Sequence, residues 1–185
     1  METAQLKRHS RAKVKERLAQ MSAEEKRKKS YEACMNVIKS SEFASAHTIM
    51  VYKAMKNECD PALIAEAAVK MGKTVAYPLC CENNTLKVLT PKTENAFTMG
   101  AYGISEPIES ECDELDIKKL ELIIVPGLAF DKNNVRLGRG AGYYDRLLTK
   151  CENAIKIGFA FDVQMADSLP EDGNDIRMDK IVTNI

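Results

Sequence analysis

The sequence contains no tryptophan, only two histidines (His9 and His47), and no apolar run near the ~18 residues that a membrane-spanning helix requires. A zinc cluster or a histidine-based nucleophile relay has little to draw on. The six cysteines, Cys34, Cys59, Cys80, Cys81, Cys112 and Cys151, show neither a Cys-x-x-Cys spacing nor the density of a disulfide scaffold, and they read as reduced thiols. The charged start from Glu2 to Arg17 lacks the short apolar segment of a secretory signal, so a cytoplasmic protein is expected. No internal repeat and no low-complexity linker divides the chain.

Net charge is also missing. Lys plus Arg equals Asp plus Glu at 27 each, which gives no whole-molecule attraction to nucleic acid or to an anionic membrane. The distribution is uneven: residues 1–30 hold ten basic and four acidic side chains, or +6, which leaves 17 against 23, or −6, for the remainder. The basic end suits an anion. With aromatics at only 6% and no recognised binding motif, a nucleic-acid module is not the expected reading of that end. Hydrophobic residues at 45% and charged residues at 29% describe a folded chain, and 185 residues lie below the roughly 250–300 at which chains split. One domain over 1–185 is expected, with 1–40 as a helical part packed on a sheet unit.

A basic helix should run from about Thr3 to Ala19. Ser22 with Glu25 forms the S-x-x-E pattern of a capping box and predicts a second helix to about Lys39. Strands are predicted at Thr48–Tyr52, Lys73–Tyr77, Leu86–Leu89, Leu122–Val125, Ile155–Phe161 and Ile181–Thr183 from short apolar, partly β-branched runs. Asp60 reads as an N-cap, Pro61 as a first helical position and Gly72 as the residue past that helix's end. A further helix is predicted from about Gly142 to Thr149, and Thr90–Asp116, punctuated by proline and glycine, as a long irregular connection. Alternating strands and helices favour a single α/β domain, a mainly parallel sheet with helices on both faces and ligands at the strand ends.

Residues 125–145, VPGLAFDKNNVRLGRGAGYYD, place four glycines, two arginines, two tyrosines and two aspartates between a buried strand and a helix. Gly138, Gly140 and Gly142 can take positive φ and bring amides close to a ligand, while Arg136 and Arg139 supply cationic forks, a combination suited to oligophosphate. The plainer alternative is a tight turn with solvated arginines. The spacing is neither a P-loop, since no Gly-Lys-Ser/Thr follows, nor the dinucleotide G-x-G-x-x-G.

The run Pro126-Gly127, Phe130-Asp131, then Arg136 through Asp145 resembles the signature of the 5-formyltetrahydrofolate cyclo-ligase family. The resemblance extends to Lys7 and Arg11 near the start, Met55-Lys56-Asn57-Glu58 after the first strand, Tyr102-Gly103-Ile104 with Glu106-Pro107, Gln164, and Asn174-Asp175. Asn134 stands where glycine is common in the family, Ala141 where glycine or lysine is, and Asn174 where histidine is. Asparagine enters left-handed conformations more readily than most residues, so Asn134 is a tolerable replacement.

The resemblance implies an ATP-dependent cyclisation of 5-formyltetrahydrofolate to 5,10-methenyltetrahydrofolate through a phosphorylated formyl group. It places the nucleotide on Lys7, Arg11, Arg136, Leu137, Gly138, Arg139, Gly140, Ala141, Gly142, Tyr143 and Tyr144. The folate falls on Lys53, Met55, Glu58, Phe130 and Tyr143, Mg²⁺ on Asp145 and Asp175, and the catalytic roles on Arg139 and Asp145. Asp175 could equally cap a turn, and Met55 and Phe130 could equally pack the core. A kinase or ligase acting on another small molecule through the same loop is the competing reading. A non-catalytic interaction protein would have little use for a polar Gly-Arg loop. The protein is expected to act as a monomer, without nucleic-acid or membrane partners.

Overall fold

The computed structural model describes residues 2–100 and 103–185; Tyr102 lies outside them. The chain begins with α1 (Glu2–Gln20) and α2 (Ala23–Ile38). Ser22 Oγ accepts the Glu25 N–H, and the Glu25 carboxylate accepts the Ser22 N–H at 2.7 Å, completing the capping box. The backbone bond from Ser22, then its side chain, holds the Glu25 carboxyl below its ordinary value.

After α3 (Ser41–Ser45) and β1 (Thr48–Met50), α4 spans Ala62–Lys70, starting one residue later than predicted. Pro61, at φ −86° and ψ 11°, occupies the cap itself, and Asp60 Oδ1 accepts the Ala62 N–H at 3.0 Å from one position further out. Gly72 takes φ +72°, which lets its own N–H reach Val69 O while Lys73 N–H reaches Ala68 O, a Schellman closure.

β2 (Thr74–Cys81) and β3 (Thr85–Pro91) follow. The segment read as irregular is more regular than predicted. It contains β4 (Phe97–Met99) and β5 (Ser105–Pro107), an antiparallel pair, and then β6 (Cys112–Glu114). Three-residue strands are too short to display an alternation along the sequence. The chain ends with β7 (Leu122–Pro126), β8 (Ala129–Asp131), β9 (Arg136–Leu137), α5 (Tyr143–Leu148), β10 (Ile155–Phe159), β11 (Met165–Ala166) and β12 (Lys180–Val182).

The main sheet runs β12-β10-β7-β1-β2-β3-β6. β12, β10, β7, β1 and β2 are parallel, and β3 and β6 extend the sheet antiparallel. Strand order therefore reverses between β1 and β7, the position at which open α/β sheets bind ligands. A small sheet, β11-β8-β9, lies beyond the end of β7.

Alternate residues of the central strands face two cores. Ile49, Val51, Leu122 and Ile124 pack with Val14 and Leu18 of α1, Val37 of α2 and Ile64 of α4. Met50, Ile123 and Val125 pack with Leu147 and Leu148 of α5, Phe130 and Met178. The second face thus receives one short helix, supplemented by strand and loop residues. Phe130 fits between Gly127 and Gly158, where an added Cβ would stand 2.6 Å and 2.5 Å from its ring.

Truncation of Phe130 to alanine should cost roughly 3–5 kcal/mol through lost burial and a residual cavity. Gly158→Ala should cost about 1–3 kcal/mol by overpacking the same contact. Urea unfolding monitored by circular dichroism checks both, and a loss below about 1 kcal/mol in each would show that the ring is not a keystone of this face.

Candidate active site

A cavity of about 250 Å³ opens at the carboxyl ends of β1, β2 and β7. One wall comes from the chain after β1, with Tyr52, Lys53, Met55 and Glu58. A second comes from β2 and β5, with Tyr77, Pro78, Cys80 and Glu106. A third comes from the end of β7 and the glycine–arginine loop, with Pro126, Arg136, Gly138, Arg139, Ala141, Tyr143, Tyr144 and Asp145.

The third wall is built on β8 and β9. Asp131, 1% exposed, accepts the N–H groups of Asn133 and Val135 on Oδ1 and that of Leu169 on Oδ2. Asn134 takes φ +62° in that turn, the left-handed conformation anticipated for it. Gln164 holds the approach to the turn: Nε2 donates to Gly127 O at 2.8 Å and Leu128 O at 3.1 Å, and Oε1 accepts from Phe161 N–H. Gly140 and Gly142 have the predicted positive φ, +112° and +74°. Gly138 does not. Its missing Cβ instead makes room for the Arg136 guanidinium, whose Nη1 would lie 2.9 Å away.

Arg136 is buried, with its side chain 4% exposed. Nη2 donates to Asp145 Oδ1 at 2.6 Å and Nη1 to Pro126 O at 3.2 Å, the guanidinium sits 5.8 Å from the Tyr144 ring centre, and Nε is buried without a partner among the described residues. Burial pushes the Tyr144 hydroxyl well above its ordinary value. Arg139 reaches across the cavity to Glu58 Oε1, donating from Nε at 3.1 Å and Nη2 at 2.8 Å, while Glu58 Oε2 accepts the Met55 N–H. Lys53 Nζ stands over Phe97 and Tyr77, 4.3 Å and 5.0 Å from the ring centres. Burial, then the nearby Glu106, pushes the Cys80 thiol up to about 12, so it stays protonated at neutral pH.

The helical start meets this wall from behind. Arg11 Nε donates to Gly138 O at 2.9 Å. Lys7, although placed on the same helix face, does not reach the loop, because Asp172 and Asp175 hold its Nζ at 2.7 Å and 2.5 Å. Asp175 also accepts the Asp172 N–H, so it organises the 172–175 turn.

The structure therefore brings Lys53, Met55, Glu58, Arg136, Gly138, Arg139, Ala141, Tyr143, Tyr144 and Asp145 to one cavity and leaves others outside it. Phe130 is fully buried and offers no surface to a heterocycle, a correction to its expected role. Leu137 likewise directs its side chain into the core. Arg146 was not anticipated. It donates to Asn84 O at 2.9 Å and to Ala141 O, fastening the loop to the β2–β3 hairpin. A bond between residues 62 positions apart leaves no mark in local spacing.

The family model of the 5-formyltetrahydrofolate cyclo-ligase family matches residues 3–184. The 5-formyltetrahydrofolate cyclo-ligase of Mus musculus is 32% identical over 187 residues, covering 95% of this chain and 92% of the relative. Among solved structures, 5,10-methenyltetrahydrofolate synthetase of Aquifex aeolicus superposes with a TM-score of 0.85 at 33% identity, covering 97% of this chain and 90% of the other. The Mycoplasma pneumoniae synthetase, at 22% identity, shares the fold with a TM-score of 0.79 over 97% and 99% of the two chains. On the strength of a match that runs through β1, the glycine–arginine loop and β12 alike, the chain belongs to the 5-formyltetrahydrofolate cyclo-ligase family.

Proposed function

We propose that this cavity converts 5-formyltetrahydrofolate to 5,10-methenyltetrahydrofolate at the expense of ATP, through a phosphorylated formyl group. The observation that carries the reading is that one cavity combines the glycine–arginine loop, suited to phosphate, with Met55, Glu58 and Tyr143, suited to a flat heterocycle with N–H groups.

A formyl group on nitrogen is an amide, so its carbon is a poor electrophile and its oxygen a poor leaving group. Attack of the formyl oxygen on the γ-phosphorus of ATP expels ADP and gives an imidoyl phosphate. The neighbouring side-chain nitrogen then adds to the activated carbon, its proton is lost, and phosphate departs with the former formyl oxygen. The sequence needs positioning and charge stabilisation more than a protein nucleophile. Arg139 and the loop amides face the phosphates, while Glu58, fixed by Arg139 and the Met55 N–H, keeps unused lone pairs for pterin N–H groups.

Among the described residues no group of three or more His, Cys, Asp or Glu side chains could hold a metal ion by itself. Mg²⁺ does not need one, since it typically takes one or two carboxylates with phosphate oxygens and water. Asp145 fits that description: its side chain is 20% exposed, it lines the cavity, and Arg136 holds it through Oδ1. Asp175 fits less well, being committed to Lys7 and the 172–175 turn. The ion would supply charge neutralisation on the phosphates.

Mixing the protein with Mg-ATP and 5-formyltetrahydrofolate should produce the near-ultraviolet absorption of the methenyl product, with none when ATP is omitted. No absorbance change under these conditions would overturn the proposed reaction. Arg139→Ala should weaken ATP by about 30- to 150-fold, the loss of a charge-assisted hydrogen bond, while leaving folate affinity within about fivefold. Calorimetric titration of each ligand decides, and unchanged ATP affinity removes Arg139 from phosphate binding.

Asp145→Asn removes a carboxylate from a buried pair and should cost roughly 2–4 kcal/mol in stability, as well as lowering turnover at least about 100-fold. Replacing the whole pair, Arg136→Met with Asp145→Leu, separates the two effects. Stability should return toward wild type in urea unfolding while turnover stays lost. Recovery of turnover with stability would make Asp145 purely structural.

A further inference from the structure

The two arginines lining the cavity are both matched by carboxylates, Arg136 by Asp145 and Arg139 by Glu58. The remaining lining carboxylate, Glu106, lies beside the Cys80 thiol, whose pKa it helps to raise. Lys53 is different. Among the described residues its ammonium forms no ion pair, and its neighbours are two ring faces. Those rings, Tyr77 of β2 and Phe97 of β4, stand edge to face with centres 5.0 Å apart and planes at 85°. Ring faces attract a cation and fix its place without neutralising its charge. The half-buried Lys53 therefore presents an uncompensated, positioned cation to the cavity.

We propose that Lys53 is a specificity-determining residue whose ammonium takes the carboxylate at the glutamate end of the folate substrate. The proposal rests on the reading that folate occupies this cavity. The chemistry divides between opposite walls. The wall formed by β9 and α5 carries Arg139 and Asp145 and suits the transferred phosphoryl group. Among the described residues the wall formed by β2 and β5 carries no cation, and its Tyr77 ring, packed edge to face with Phe97, offers apolar surface beside the Lys53 ammonium. A substrate with a heterocycle at one end, a benzoyl ring in the middle and a carboxylate at the other matches that sequence of surfaces. A lysine stem resting on rings also lets the ammonium swing to meet the carboxylate without leaving its apolar support.

Lys53→Met keeps the stem and its packing but removes the charge. Calorimetric titration with 5-formyltetrahydrofolate in the absence of nucleotide should show binding weakened about 10- to 100-fold, as expected for a lost charge-assisted hydrogen bond. Lys53→Arg should restore most of it. The same titration with 5-formyltetrahydropteroate, which lacks the glutamate, should give equal affinities for wild type and variant. In turnover assays the KM for folate should rise while kcat and the KM for ATP stay unchanged. Equal weakening for both compounds, an effect confined to kcat or to ATP, or an unaltered folate affinity would each overturn the assignment, the second by placing Lys53 on the phosphoryl group. Lys53→Gln, a polar replacement, tests the same charge if the methionine variant does not fold. Binding by the wild type without cyclisation would refute the proposed reaction and leave the Lys53 assignment standing. Absence of folate binding by the wild type would refute the folate reading from which both proposals start.

Discussion

The cavity is shaped by charges that must be matched across the fold. Arg136 cannot be buried beneath the glycine–arginine loop unless Asp145 stands at the first turn of α5, and Arg139 and Glu58 tie that loop to the chain after β1. Lys7 ties α1 to the 172–175 turn. Removing one partner from the buried Arg136–Asp145 pair leaves a charge out of water without compensation, typically a loss of a few kcal/mol. The pairs therefore constrain loop geometry more than they add stability, and segments remote in sequence are held in one arrangement around the cavity.

Side-chain hydrogen bonds to the backbone do the same work where the chain turns sharply. Asp131 and Gln164 between them satisfy six backbone groups in the segment joining β7 to β9 and its surroundings, using side-chain oxygens and an amide where no strand partner exists. Buried backbone groups need such partners. This is why the chain can leave the sheet at Pro126-Gly127, form the short β8–β9 pair and still deliver Arg136 to the strand-order reversal between β1 and β7.

Much of this could be read from the sequence because the signals are local. Ser22 and Glu25 announce a helix start three residues apart, Gly72 a helix end, and Leu122–Val125 a buried strand. The glycines and arginines of 136–142 mark an anion-suited loop. What could not be read was partnership over distance. Nothing near Lys7 indicates that aspartates 165 and 168 positions away will claim it, and nothing near Arg139 points to Glu58. Phe130 sits in an aromatic–Asp motif that looks like site surface, and only the packing of Gly127 and Gly158 against its ring shows it to be core. Gly138 was explained by backbone freedom, whereas the close approach of Arg136 is what excludes a side chain there.

The attachment of α1 shows what kind of event could loosen the site. Burial pulls the Lys7 pKa down, but hydrogen bonds from its ammonium to Asp172 and Asp175 outweigh that and raise it above the ordinary 10.5. The bond from Lys7, then the Asn174 N–H, lowers Asp172 below its ordinary 3.8. A raised lysine stabilises fully below its unfolded pKa and loses that contribution as pH rises through the folded value. A depressed aspartate stabilises above its unfolded pKa and loses that contribution as pH falls through the folded one. The contact between α1 and the 172–175 turn is thus complete from about pH 5 to pH 9, and no titration in that window releases it. Within that window Lys7 leaves its aspartates by exchanging them for other oxygens, those of water or of an anionic ligand. Since Arg11, one helical turn further along, already touches the glycine–arginine loop at Gly138, such an exchange would move α1 and that loop together.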